Sequence, residues 1–392
     1  MSRTVSLVLV DGVGSPLGTL PPFDVDLPYW QEVACVVRGA RERYGVDLAV
    51  LRLLAAERAA PHGGLVTYLA QATGIPARYA GPVDVDLSDH PDRCAYAHPG
   101  GPDASLRWAT EALATNGRGP VSGVEQQRTW NLSAIWRLDT PAGPVWLKQV
   151  PRFFAHEATV LRWIATTVDD RLVPSLLAAA NGRVLLDHVP GHDLYGADLD
   201  TRAGIAADMH RVQLAAADQV AALVAAGVPD LRTPRLSAWI TETVARHGGG
   251  EPELAALVDG LDARLSAVEA CGLPDTLVHG DLHPGNARGD GDRRVLIDWG
   301  DSSVGHPAFD ILRLAEGVDP AGAAQLIGWW AARWRAAVPG CDPETAVRLL
   351  RPVAALRAAA AYAGFLANIE PSEHPYHRDD VPACLAAALT SS

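Results

Sequence analysis

The sequence predicts an α+β chain laid out in three successive blocks: a small α/β region over residues 1–105, a strand-rich stretch with one helix over 115–188, and a helical remainder over 189–392. Three observations carry this. Short apolar runs bounded by turn residues fill the first half, apolar residues at three-to-four spacing fill the second, and 392 residues that are 48% hydrophobic and 20% charged can bury more than one core.

In the first block, residues 5–10, 48–54 and 64–70 read as strands and 29–44 as a helix. The breaker-rich run His98-Pro99-Gly100-Gly101-Pro102 reads as a boundary. Next, QQRTWNLSAIWRL has the look of a hairpin, and the chain turns through Thr140-Pro141-Ala142-Gly143-Pro144 into the strand PVWLKQV. A helix follows in HEATVLRWI, with Val160, Leu161 and Ile164 on one face. The run RVLLDHVPGHDL is a strand stopped by Pro190-Gly191, after which Asp193 is placed to cap a helix.

From about 203 onward the segments AGIAADMHRVQLAAADQVAALVAAG, ELAALVDGLDARLSAVEA, PAGAAQLIGWWAARWRAA and ETAVRLLRPVAALRAAAAYAGFLANI read as helices. Trp330 and Trp334, four apart on one face, read as packing.

The net charge of -13 and pI near 5.4 argue against nucleic acid and anionic membranes as partners, which need a basic face. A cationic or neutral small substrate suits that balance. The five cysteines (35, 94, 271, 341 and 384) form neither a disulfide framework nor a zinc spacing. The apolar stretch before Asp11 is too short for a signal-peptide core or a membrane span, so a cytoplasmic protein is expected.

The chemistry concentrates in HGDLHPGNARGDGDRRVLIDWGD, starting at His279. Asp281 can accept a proton from a hydroxyl, while Asn286 and Asp298 offer the hard oxygens magnesium prefers. Strand-like Thr276-Leu277-Val278 precedes the set and Val295-Leu296-Ile297 precedes Asp298, so the two acidic positions follow two short strands. A surface hairpin with solvated acids would not need the Pro284-Gly285 bend that points Asn286 back. Lys148 is the only lysine of the chain, on a strand, in a sequence that otherwise uses arginine. A compact ammonium suits phosphate oxygens where a planar fork does not; the bland alternative is an exposed edge lysine. Glu157 follows at the start of the next helix.

Strand lysine, helix glutamate and this loop together resemble the aminoglycoside phosphotransferase and choline kinase family, over roughly residues 120–385. The resemblance implies a bilobal protein-kinase-like fold, with a small β-rich N-lobe and a helical C-lobe. It implies ATP or GTP and Mg2+ as cofactors and a small hydroxyl compound as partner: an aminoglycoside or other antibiotic, a sugar or an amino alcohol. Asp281 matches the catalytic aspartate, Asn286 and Asp298 the magnesium ligands, Lys148 the residue on the nucleotide's α- and β-phosphates, and Glu157 its partner. His279 matches a brace for the loop, and His283 lies where protein kinases place a lysine near the γ-phosphate. Asp310, in GHPAFDI, matches an architectural aspartate.

The pattern also departs from the family's relatives. No Gly-x-Gly-x-x-Gly precedes Lys148; the family's Ser/Asn-containing hairpin makes Asn131 and Ser133 candidate phosphate contacts, through backbone or side chain, against an ordinary hairpin tip that touches nothing. The purine edge would meet the main chain near Asp187, His188 and Val189. A protein kinase is disfavoured because GHPAFDILRL follows Asp298 too soon for a substrate platform.

The front block resembles a Nudix domain. With Gly45 set on that family's last glycine, Arg38 and Glu42 match, but Gly39 and Arg43 replace metal-binding glutamates. It is therefore expected to be catalytically silent; an unrelated small α/β module fits its element order as well. The alternative to transfer is a nucleotide-binding pseudokinase that senses a ligand through this block. The intact Lys148, Asp281, Asn286 and Asp298 set speaks against it.

Overall fold

A computed structural model describes residues 2–58, 61–290 and 293–390. The chain divides into two compact units. One comprises Met1–Ala155, Leu176–His188 and Gly364–Asp379; the other comprises His156–Ser175, Val189–Ala363 and Asp380–Ser392.

The first unit contains two sheets. Strands β1 (Arg3–Val10), β2 (Pro16–Val25), β3 (Leu48–Ala56) and β4 (Leu65–Ala72) form a mixed sheet in the order β2-β1-β4-β3, with helix α1 (Ala34–Tyr44) beside it. The β1 and β4 strands run parallel at its centre, which is why their apolar runs are nearly continuous. The sequence reading lacked β2. Pro21, Pro22 and Gly18 disguise it, and prolines are tolerated there because β2 is an edge strand. Helix α1 begins later than position 29: the Trp30 amide donates to Pro61 O and Glu32 closes a turn on Tyr29, so residues 29–33 are irregular.

A second missed element is α2 (Gly101–Thr115). The breaker run expected as a boundary is its start: Gly100 adopts φ 77, and Pro102 sits in the first turn, where its missing N–H costs nothing. Ala109 and Leu113 of α2 are buried against Trp136, Leu138, Val145, Leu147 and Leu185. Those residues belong to the second sheet, built from β5 (Gly123–Trp130), β6 (Ser133–Thr140), β7 (Gly143–Gln149), β8 (Leu176–Ala180) and β9 (Arg183–Asp187) in the order β5-β6-β7-β9-β8. The two sheets meet where both backbone groups of Val50 bond the Gln126 side chain.

Residues 364–379 return to this unit. Glu370, 6% exposed, accepts from Arg93 Nη2 at 2.9 Å and pairs with Arg52 at 3.6 Å. Glu373 Oε1 accepts from the Leu53 amide at 2.6 Å. Tyr376 stands edge-on to both Trp30 and Trp130.

The second unit is mostly helical. It holds α3 (Glu157–Ile164), β10 (His192–Asp193), α4 (Leu199–Ala216), α5 (Val220–Ala225), α6 (Arg235–His247), α7 (Pro252–Asp259) and α8 (Leu261–Glu269). After β11 (Thr276–Val278) come β12 (Ala287–Asp290), β13 (Arg293–Leu296), β14 (Ser303–Gly305), α9 (Ala308–Leu314), α10 (Pro320–Ala337), α11 (Pro343–Leu366) and α12 (Asp380–Thr390). Two expected long helices are each broken, one between α4 and α5 and one at Gly260 between α7 and α8. Trp330 and Trp334 are buried and edge-on at 6.2 Å, and Trp334 meets the His210 ring at 4.8 Å. Their role is packing. Among the described residues only α11 is long and apolar enough to cross a membrane, and Val347, Leu350, Val353 and Leu356 turn one of its faces into the core.

Candidate active site

The site in the second unit starts from a backbone constraint. After β11 the chain turns through Gly280 at φ +90, where a Cβ would collide with the Asp301 carbonyl, so only glycine fits between His279 and Asp281. Asp310, on α9 and 2% exposed, fixes this turn: Oδ2 accepts from the His279 amide at 3.1 Å and Oδ1 from the Gly280 amide at 3.1 Å. Burial pushes its carboxyl up, the cost of an acid used as an anchor. His279, fully buried, bonds Ile297 O through Nε2 at 3.0 Å and packs on Trp299 at 4.5 Å. It braces two strands.

Asp281 emerges with its side chain one-third exposed (33%). Asn286 Nδ2 donates to Asp281 O at 2.9 Å and to Asp281 Oδ2 at 3.0 Å. Both amide hydrogens are thereby used, so Oδ1 of Asn286 is the atom presented to a ligand. His283 Nε2 lies 3.4 Å from Asp281 Oδ2, while its Nδ1 accepts from the Gly285 amide at 3.0 Å. An accepting Nδ1 leaves the ring hydrogen on Nε2, so His283 donates toward Asp281. Burial raises the Asp281 carboxyl, but the His283 hydrogen bond and the Arg313 guanidinium outweigh it and hold the group at about 2.

The β12–β13 hairpin brings the second acid to this loop. Ile297 donates to Asn286 O at 2.9 Å, which sets Asn286 beside the strand end that carries Asp298. Asp298 adopts φ 63 and ψ 63, one of two non-glycine residues with positive φ among the described residues. Such a conformation costs of order 1–3 kcal/mol and persists where surroundings impose it. Here the following amide, Trp299 N, donates at 3.2 Å to Oε1 of Glu157, itself 1% exposed on α3.

Asn286 and Asp298 are the side chains of this loop whose oxygens could hold a magnesium ion brought by a nucleotide. Magnesium takes one or two protein oxygens and completes its shell with phosphates and water. Among the described residues no group of three or more His, Cys, Asp or Glu side chains is placed to hold a metal.

The remaining candidates lie in the first unit, apart from Val189. Lys148 is 8% exposed on β7, between Ile135 of β6 and Val184 of β9. At the β5–β6 tip, Asn131 is 4% exposed and its Oδ1 accepts from His377 Nε2 at 3.2 Å, while Ser133 Oγ accepts from Trp130 Nε1 at 3.1 Å. Asp187 is ion-paired with Arg118, and His188 Nδ1 accepts from Trp146 Nε1 at 3.1 Å. In the second unit, Val189 O accepts from Arg288 Nε at 2.8 Å.

Sequence reasoning missed Arg313. Its Nε donates to Asp281 Oδ1 at 2.8 Å, and its Nη1 pairs with Glu316. The signal was present: Arg313 is three residues after Asp310, hence on the same face of α9 as the anchor of the turn that carries Asp281.

Residues 125–342 match the phosphotransferase enzyme family. Among solved structures, the macrolide 2'-phosphotransferase MphH of Brachybacterium faecium shares 20% identity over 72% of this chain and 98% of its own, with a TM-score of 0.53. Choline kinase LicA of Streptococcus pneumoniae shares 12% over 73% and 99%, also at 0.53. The GDP and kanamycin complex of APH(2'')-IIIa shares 17% over 73% and 98%, at 0.50. These likenesses establish the protein-kinase-like α+β fold. No curated protein matches the chain. With more than half of its length inside the family match, and with the loop described above within that span, the chain belongs to the phosphotransferase enzyme family and is a small-molecule kinase.

Proposed function

We propose that this chain is a magnesium- and nucleotide-dependent O-phosphotransferase that moves the γ-phosphoryl group of ATP or GTP onto a hydroxyl of a small molecule. The observation that carries the reading is the lock of Asn286 on Asp281, which fixes a proton acceptor and a metal-facing oxygen in one loop. The structural neighbours named above, one holding GDP and kanamycin and one a choline kinase, support the substrate size and the nucleotide.

In this mechanism Asp281 orients the acceptor hydroxyl and takes its proton as the new oxygen–phosphorus bond forms and the bond from the γ-phosphorus to the bridging oxygen breaks, releasing the nucleoside diphosphate. A carboxylate held near 2 is a weak base, so alignment is its larger contribution, as suits a loose transition state. His283 keeps the carboxylate turned by its Nε2–H. Asn286 and Asp298 would hold magnesium, whose charge offsets that on the transferring group. Lys148 would take the nucleotide's α- and β-phosphates and Glu157 would be its partner. The tip at Asn131 and Ser133 would act through its backbone beyond Asn131, since Asn131 Oδ1, Ser133 Oγ and the Asn131 main chain are engaged elsewhere. Main-chain groups at Asp187, His188 and Val189 would meet the purine. The front block would serve as a docking element without hydrolytic activity.

Magnesium-nucleotide consumption, measured against a panel of hydroxyl compounds with Asp281→Asn as the blank, tests the reading. Turnover that disappears in the blank is expected. Equal loss of turnover and nucleotide affinity in Asp281→Ala would contradict the role given to Asp281.

A further inference from the structure

The guanidinium of Arg313 is held at two of its three nitrogens. Nε donates to Asp281 Oδ1 at 2.8 Å, and Nη1 is paired with Glu316, three residues along the chain. Among the described residues nothing bonds Nη2, and the side chain is 36% exposed. The group is therefore oriented, charged, and open at one end, immediately beside the carboxylate that would receive the hydroxyl proton. The other carboxylate oxygen, Oδ2, already carries Asn286 Nδ2 at 3.0 Å and His283 Nε2 at 3.4 Å. A hydroxyl seated on Asp281 must share the carboxylate with Arg313, and the substituents next to that hydroxyl then fall at Nη2. A second cation stands behind the loop: Arg357, on α11, donates to Gly280 O at 3.4 Å and stacks on Phe309 at 5.3 Å.

We infer that Arg313 is the acceptor-recognition residue and that the acceptor is a neutral or acidic polyhydroxy compound, a sugar or a hydroxy acid, presenting an oxygen to Nη2 beside the hydroxyl that is phosphorylated. An ammonium in that place meets a fixed like charge, so polycationic amino sugars are selected against. This runs opposite to what the chain's overall negative charge suggests and depends on the Nη2 end alone, because the other two nitrogens are already paired with Asp281 and Glu316. The inference rests on Asp281 serving as the hydroxyl-orienting group.

The test compares kcat and KM of the full-length protein for neutral sugars, gluconate, choline and kanamycin, in wild type, Arg313→Gln, Arg313→Lys and Asp281→Asn. The highest kcat/KM is expected with a sugar or with gluconate, and the choice between those two arms tells a hydroxyl or ether oxygen from a carboxylate. Arg313→Gln should raise KM for that acceptor roughly tenfold to hundredfold, more than it lowers kcat, as loss of a charged hydrogen bond does. Arg313→Lys should recover part of the loss. A merely structural arginine would not give that split or that rescue. Kanamycin or choline as the best acceptor, or an unchanged KM in Arg313→Gln, would overturn the inference while leaving the transfer chemistry standing. Nucleotide consumption that persists in Asp281→Asn would instead strike the phosphotransfer reading itself.

Discussion

Two loops of this molecule, both named by the same family pattern, are built in opposite ways. The turn around Asp281 is part-exposed, and its polar atoms hold one another while Asn286 Oδ1 and Arg313 Nη2 carry no bond among the described residues. The hairpin tip at Asn131 is buried, and its polar atoms are mostly engaged: Asn131 Oδ1 accepts from His377, Tyr96 OH donates to Trp130 O at 2.8 Å, and Trp130 Nε1 donates to Ser133, while Asn131 Nδ2 has no partner among the described residues. The segments that cover the tip, around residues 93–97 and 364–379, lie outside the family match at 125–342. Segments outside the family match thus close over one loop and leave the other part-exposed.

Variants should separate the two loops by what they disturb. The largest effect is expected from Asp281→Asn: turnover falls roughly 10²- to 10⁴-fold while the unfolding temperature barely moves, read by steady-state kinetics beside calorimetry. Next is Glu370→Ala, which strands Arg52 and Arg93 without their carboxylate. Unfolding free energy should drop by about 3–5 kcal/mol, with kcat per folded molecule retained.

Glu373→Gln comes third and is a matter of pH. Burial pushes this carboxyl up to about 8 from an ordinary 4.5, against the opposing amides of Leu53 and Asn131. The folded state thus binds the proton more tightly than the unfolded chain. That stabilisation is full below 4.5 and is lost as pH rises through about 8, so wild type should weaken across that window while Glu373→Gln stays flat in denaturant titrations. The smallest effect is Asn131→Ala, about 1 kcal/mol for the lost His377 bond, with nucleotide KM changed by less than about threefold. A larger rise in KM would show that the tip is chemical after all and dissolve the contrast.

What could be read beforehand followed the same division. Asp281, Asn286, Asp298 and Lys148 stood out because the chemistry dictates residue type and spacing, and β11 and the β12–β13 hairpin stood out because short apolar runs flank them. Edge strand β2 hid behind its prolines, and α2 hid behind the glycines and proline of its own first turn. Arg313 was one helical turn from a recognised aspartate, but nothing in the spacing says which way a guanidinium turns. The return of residues 364–379 to the first unit could not be read at all, since pairing across such separations leaves no periodic trace.

That return has a consequence for how the chain is made. Glu370 follows Arg93 by 277 positions, so at about 5–20 residues per second the ribosome needs roughly 14–55 s to deliver the carboxylate that two buried guanidiniums await. The first unit is then completed only once residues 364–379 have been made. A stop codon shortly after residue 363 would take α12 from the second unit and leave the first unit without Glu370, Glu373 and Tyr376.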